Sequence, residues 1–386
     1  MSLVAVKPEI LDWAIERSGI AIEEIEDKFP KLSKWRNRET SPTISQLEKF
    51  ARKTQTPLGY LFLSEPPVET LPVPNFRTIR NEDIKSPSPN LIETVQQMQY
   101  RSSWMRDFLI ERDEEPLSFV GSVDINQDIK FVASNIRETL RLNDNWASVF
   151  STWRDALSGL IKAVDNTGIL VMVNGVVGNN NYRKLDKEEF RGFVLIDKFA
   201  PLIFVNGSDF KGAQMFTIAH ELAHVWLGKG AIFNLRELQP HDNEIENFCN
   251  KVAAEFLVPE TLLRKYWKEE ASLYDSCKKL SGKFKVSPIV IGRRALDLGY
   301  VVLNDFLDFY SQYKDEVEEK ERQKKEKKKS GGDFYNNQNF RIGKKFASAV
   351  FMSAKEGKLP YRTAFKLTGL KGKTFDEYSQ RLGIKQ

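Results

Sequence analysis

The chain has 386 residues, and 58 Lys and Arg against 53 Asp and Glu leave a net charge of +5. That length predicts two or three domains, and the mild charge permits nucleic-acid contact without arguing for it. No run approaches ~18 apolar residues, the start "MSLVAVKPEILDW" lacks a basic segment followed by an apolar one, and only Cys249 and Cys277 are present. Neither a membrane span nor a secretory signal nor a disulfide framework is therefore expected, and the chain reads as cytoplasmic.

Residues 1–63 predict short helices, with apolar positions at helical spacing in Ile10, Leu11, Ala14 and Ile15, then Ile22 and Ile25, then Leu47, Phe50 and Ala51. Residues 64–90 form a Pro-rich linker, since "SEPPVETLPVPNF" carries Pro66, Pro67, Pro72 and Pro74 and cannot continue a helix. A helical region follows over 91–166. Residues 167–303 hold a small sheet of about three strands, "GILVMVNGVV", "GFVLID" and "PLIFVN". Ser208 or Asp209 is then the expected N-cap of a helix running through Leu227, with Gly228 as its stop. A second helix is expected from about Asn243 to Leu257, ending before Pro259. Residues 304–332 are a charged helix or linker, "KDEVEEKERQKKEKKK" followed by "SGG". The tail, 333–386, returns to an amphipathic helical pattern. The fold class expected is α+β, mainly α.

The chemistry concentrates in "FTIAHELAHVWLG", which holds two of the three histidines. Residues i and i+4 of a helix lie on one face, so His220 and His224 present two imidazoles to one point, with Glu221 beside them. This is the H-E-x-x-H spacing of a metal site in which the histidines bind zinc and the glutamate is a general base. A catalytic zinc takes a third protein ligand. Glu246 on the following helix is placed to supply it, with Glu244, Glu255 and His241 as rivals; Asp242 reads as solvated and Cys249 as core. Asn250, one turn after Glu246, is placed to hydrogen-bond a ligand imidazole. His241, Tyr182 and Tyr266 are candidate oxyanion donors, and "PLIFVN" is a candidate edge strand for an extended substrate.

"FTIAHELAHVWLG" followed by "ENFCNKVAAEFLVP" resembles the ImmA/IrrE metallopeptidases, whose pattern is roughly F-T-x-A-H-E-x-G-H and then E-x-x-A-N-x-F-A-A-E-L-L-x-P. Ala223 stands for the usual Gly and Cys249 for an Ala, both small-for-small changes. The resemblance covers roughly Gly168 to Tyr300, including "LSGKFKVSPIVIGRRALDLGYV", which looks like the family's helix-turn-helix-like closing segment. It implies a zincin-like core in which His220, His224 and Glu246 bind Zn2+ and Glu221 is the catalytic acid/base. It also implies a regulator protein as substrate, typically a helix-turn-helix repressor of a mobile element, toxin–antitoxin locus or stress response.

"GIAIEEIEDKFPKLSKWRNRETSPTISQLEKFARKTQTPLGYLFL" resembles an Xre-type helix-turn-helix in degenerate form. Ile22 to Phe29 stands as the motif's first helix. Lys31, Lys34, Arg36 and Arg38 are then placed to meet phosphates, and Ser33 and Asn37 to lie near base edges. The stretch between the helices is a few residues short and contains Pro30, so a helical module that packs on the peptidase or binds a protein is the competing reading. The tail segment "YRTAFKLTGLKGKTFDEYSQRLG" reads as helix, Gly turn, helix, a small docking domain. Family tails of this kind stand beside PIN-type nucleases in toxin–antitoxin pairs, which implies such a toxin as a partner.

Overall fold

The computed structural model describes residues 3–69, 87–229, 232–233, 244–268, 272–326 and 333–384. Pro72 and Pro74 of the linker, His241, Asp242 and the lysines at 327–329 lie outside the described residues. The chain forms two compact units, one N-terminal and one comprising the described residues from Gln97 onward. Among the described residues no helix is long and apolar enough to cross a membrane.

The N-terminal unit contains α1 (Pro8–Ser18), α2 (Ile22–Lys28), α3 (Leu32–Arg36) and α4 (Ile44–Lys53), then a 3-10 turn at Leu58–Phe62. A capping box starts α4, with the Thr43 side chain accepting from Gln46 N–H and the Gln46 side chain accepting from Thr43 N–H. Ile10, Leu11, Ile25, Leu32, Trp35 and Phe50 form a core of its own. The segment "PKLSKWRN", which falls where the recognition helix of a helix-turn-helix should be, forms only the five-residue α3. Arg36 Nε donates to Asp12 at 2.6 Å, and Arg38 faces Glu9 at 3.6 Å. Lys31, Ser33, Lys34 and Asn37 are exposed.

The larger unit begins within α5 (Pro89–Ile110) and continues through α6 (Ile129–Thr139) and α7 (Trp153–Asn166). The sheet has four strands rather than three: β1 (Leu170–Asn174), β4 (Gly192–Leu195), β5 (Leu202–Asn206) and β6 (Ile232–Phe233), in the order β1-β5-β4-β6. A separate ribbon pairs β2 (Val176–Val177) with β3 (Asn180–Lys184). β1 runs parallel to β5, while β4 is antiparallel to both β5 and β6. The extra strand, β6, is two residues long and becomes a strand only by pairing with β4, so no local pattern announces it.

Both faces of this sheet are covered, which explains why its strands read as unbroken apolar runs rather than alternating ones. Val171, Val173, Ile203, Val205 and Val194 join one core with α7, α8 (Lys211–Leu227) and α9 (Glu244–Leu257). Phe193 and Phe204 stack on the opposite face with ring centroids 5.1 Å apart. Then come α10 (Glu260–Tyr266), α11 (Leu273–Phe284), α12 (Pro288–Asp297) and α13 (Leu303–Glu326). Charged residues 314–326 thus belong to a helix rather than a coil.

The last elements are α14 (Phe334–Arg341), α15 (Lys344–Lys355), α16 (Tyr361–Thr368) and α17 (Lys373–Arg381). Arg101 of α5 ties them to the sheet. Its buried guanidinium donates to Leu367 O and Arg341 O, each at 2.9 Å, near the ends of α16 and α14, and touches Met172 Sδ of β1. Those are terminal helix carbonyls with no intrahelical donor, and leaving each one buried and unsatisfied would cost about 1–3 kcal/mol. Burial pushes the guanidinium pKa down to about 10, so it stays charged at neutral pH.

Asp165, near the end of α7, accepts from Val171 N–H at the start of the sheet. Burial pushes its carboxyl up to about 7, against the Val171 hydrogen bond and the charges of Lys345 and Lys344. A carboxyl raised in the native state keeps its proton there while the unfolded chain loses it, so its contribution to stability falls as pH rises from about 4 to 7 and is level above that. Asp165→Asn keeps the acceptor and has no proton to lose. Its stability relative to wild type is expected to rise between pH 5 and pH 8 in urea titrations; an identical difference at both pH values would contradict this.

Candidate metal centre

α8 is buried on every side, with Gly212 and each residue from Gln214 to Leu227 out of solvent. A helix apolar all round belongs in a core, and here its few polar groups go with it. Its start differs from expectation. Lys211 is the first helical residue and neither Ser208 nor Asp209 caps it. Asp209 is drawn into an ion pair with Arg191, and the Ser208 hydroxyl donates to Leu185 O. The Gln214 amide, from inside the first turn, reaches back to Gly207 O and Asp209 O.

The end of α8 orients one ligand. Gly228, at φ 66°, lets the chain turn left-handed, so that Lys229 N–H meets His224 O and Gly228 N–H meets Val225 O. This turn carries Lys229 O back to 2.9 Å from His224 Nδ1. A carbonyl can only accept, so Nδ1 holds the proton and Nε2 is left with a lone pair. His220 is held similarly, with Nδ1 3.0 Å from Asn250 Oδ1. The carbonyls of Val225 and Trp226 accept from Gly121 N–H and Val123 N–H, so the preceding loop also seals the helix end.

α9 packs along α8 and brings Glu246 to the pair. His220 Nε2 and His224 Nε2 are 3.1 Å apart. Glu246 Oε2 lies 3.1 Å from the first and Oε1 3.4 Å from the second. A tetrahedral zinc with ligand distances near 2.0–2.1 Å has ligand–ligand edges of about 3.3 Å. The two Nε2 atoms and the Glu246 carboxylate are thus spaced close to the corners of such a site, and among the described residues these three side chains form the one candidate metal cluster. Burial pushes the His220 pKa down, against the hydrogen bond and charge of Glu246, so its imidazole is neutral. Burial pushes the Glu246 carboxyl pKa up, and its contacts with the two imidazoles bring it back below the ordinary carboxylate value, which favours the ionised group. Two lone pairs and a carboxylate crowded this closely call for a cation between them, and the donor set of two imidazoles and one carboxylate suits zinc.

The rival ligands lie elsewhere. Glu244 is exposed at the head of α9, and Glu255 is buried in an ion pair with Arg294. Cys249 sits in the core, where burial and the charges of Glu246 and Glu221 keep its thiol protonated. Glu221 is wholly buried, next to the strand residue Gly192. A Cβ at Gly192 would lie 2.4 Å from Thr217 Cγ2, 2.8 Å from Phe204 O and 3.5 Å from Glu221 Oε1. Gly192 thus lets α8 and its glutamate approach the sheet. Sequence reasoning missed Gly192 and Lys229 because each acts through backbone placement.

Of the candidate oxyanion donors, Tyr182 is almost fully exposed on the β2–β3 ribbon and Tyr266 packs on Phe284. The strand "PLIFVN" is not an edge. It is β5, paired on both sides by β1 and β4, and has no backbone groups to offer a substrate.

The buried helix and its three converging side chains form a candidate metal centre of the kind a metallopeptidase uses. Residues 164–296 match the peptidase-family model described as the IrrE N-terminal-like domain, and this part of the chain is a domain of the ImmA/IrrE family. Residues 342–381 match the model of a domain of unknown function. No curated protein matches the chain.

Asn250→Ala removes the acceptor of His220 Nδ1 and frees the ring to rotate. Metal affinity is expected to fall about 10- to 100-fold in chelator competition; an unchanged affinity would show that packing alone holds the ring.

Proposed function

We propose that the chain is a zinc-dependent endopeptidase of narrow specificity that cleaves a regulator protein, such as a helix-turn-helix repressor of a mobile-element, toxin–antitoxin or stress-response system. The observation that carries this is the convergence of His220, His224 and Glu246 on one buried point, with Glu221 following His220 on the same helix.

In this reading His220 and His224 supply their Nε2 lone pairs and Glu246 its carboxylate. A zinc held by these three side chains would supply Lewis acidity, lowering the pKa of a water and polarising the scissile carbonyl. Glu221 takes the water proton at its carboxylate and passes it to the leaving amide nitrogen. Asn250 and Lys229 O hold the two rings so that the lone pairs stay aimed, and the buried walls of α8 and α9 keep bulk water from the proton path. The family resemblance supports a helix-turn-helix protein as substrate, a PIN-type nuclease as a further partner, and cytoplasmic action.

Glu221→Gln keeps the shape of the site and removes the base. Elemental analysis is expected to find one zinc per chain in both proteins, while only wild type yields a cut fragment from the helix-turn-helix proteins encoded nearby. The loss should be at least about 100-fold, the lower end for a general base. Equal, cut-free binding of such a protein by both forms would replace this reading with that of a zinc-bound regulator or antitoxin.

A further inference from the structure

The three helices that close the chain are arranged differently from a simple helical hairpin. α16 and α17 are joined by four residues, Gly369 to Gly372, with Gly369 at φ 69° and Gly372 at φ 52°. If α17 ran back along α16, its second half would meet the start of α16. Instead its first turn does so, with the Phe375 ring 5.0 Å from Phe365 and 6.1 Å from Tyr361. Its second half turns away to α14 and α15. Tyr378 donates to Asn339 and packs on Tyr335 and Phe351, and Arg381 covers the Tyr335 ring at 4.1 Å. Two helices that diverge after a short Gly turn, braced by a third across Phe351 and Phe375, make a helix-turn-helix with α17 as its second helix.

The charge distribution follows the same division. Residues 333–384 carry ten Lys and Arg against four Asp and Glu, whereas residues 3–69 carry ten against eleven. The N-terminal module is thus net acidic, and two of its arginines are turned onto its own carboxylates. In the C-terminal domain Arg362, Lys366, Lys371 and Lys373 are all exposed, with Lys373 also facing Glu377 at 3.5 Å and Lys366 lying 4.6 Å over the Tyr100 ring. Lys371 and Lys373 stand in the turn and at the head of α17, followed by exposed Thr374 and Gln380. In a helix-turn-helix the first residues of the second helix enter the major groove and the first helix crosses the phosphate backbone.

We propose that α15 to α17 are a DNA-binding module of this protein, with Arg362 and Lys366 of α16, Lys371 of the turn and Lys373 of α17 meeting phosphates and Thr374 and Gln380 of α17 facing base edges. The proposal is independent of peptidase activity. It also explains why the basic excess of a nearly balanced chain is collected in its last helices.

The test is fluorescence anisotropy of the full-length protein with a labelled duplex of about 30 base pairs, at about 50 and 200 mM salt. Four phosphate contacts predict an affinity about 150-fold weaker at the higher salt. The triple variant R362E/K371E/K373E is expected to lose at least about 30-fold and to lower the slope of log K against log salt by about 2.7, while K31E/K34E stays within about twofold of wild type. Lys371→Gln with Lys373→Gln adds no repulsion and is expected to lower the slope by about 1.8, which covers the case in which the triple variant melts early by circular dichroism. Wild-type binding by the charge-reversed protein, a larger loss in K31E/K34E, or no binding at low salt would overturn the proposal. So would displacement of the duplex by polyglutamate at equal charge, which would mark a surface for acidic proteins.

Discussion

Two imidazole lone pairs and a carboxylate, held 3.1–3.4 Å apart in a solvent-free interior, are the arrangement on which the rest of the peptidase core depends. Left to themselves these groups would rotate apart or take up protons. The surrounding structure prevents both. A helix with no exposed face fixes the histidine spacing, an adjacent helix delivers the glutamate, and a backbone carbonyl and an amide hold the outer nitrogens. Burial favours a neutral His220 ring, and the contacts with both imidazoles favour an ionised Glu246. The result is a donor set of two imidazoles and a carboxylate that suits a cation.

Close backbone approach is the means by which this helix is seated. Gly192 brings β4 under Thr217 and Glu221, and Gly121 and Gly228 bring the preceding loop against the helix end. At Gly192 and at Gly228 a methyl group would force backbone apart or displace a side chain. The metal centre is therefore only as well aligned as the sheet and loop on either side of it, although none of these glycines carries a functional group.

The opposite face of the sheet is no less committed. Arg101 and Trp104 of α5 hold the last helices to the same folded unit as the sheet, through Leu367 O, Arg341 O and the Phe346 ring. Arg101 reaches main-chain carbonyls near two helix ends, so the attachment is directional and does not depend on apolar area alone.

Much of the candidate site was legible in the sequence because its groups are local: His220, Glu221 and His224 share one helix, and the 3.6-residue period alone puts the imidazoles together. Glu246 and Asn250 were legible once the next helix was placed, since they stand one turn apart on it. The strands were legible as apolar runs, but their order was not. Whether "PLIFVN" lies at an edge or in the middle depends on partners far along the chain, and tertiary pairing put it between β1 and β4. The helix cap failed for the same reason, because Asp209 found a stronger partner in Arg191 than the backbone of its own helix. Residue identity and short-range spacing thus determined the chemistry available to this protein. Only the tertiary structure decided which carboxylate reaches the histidines, which carbonyl aims the second ring and which short helix turns away from its neighbour, since each depends on groups brought together over long stretches of chain.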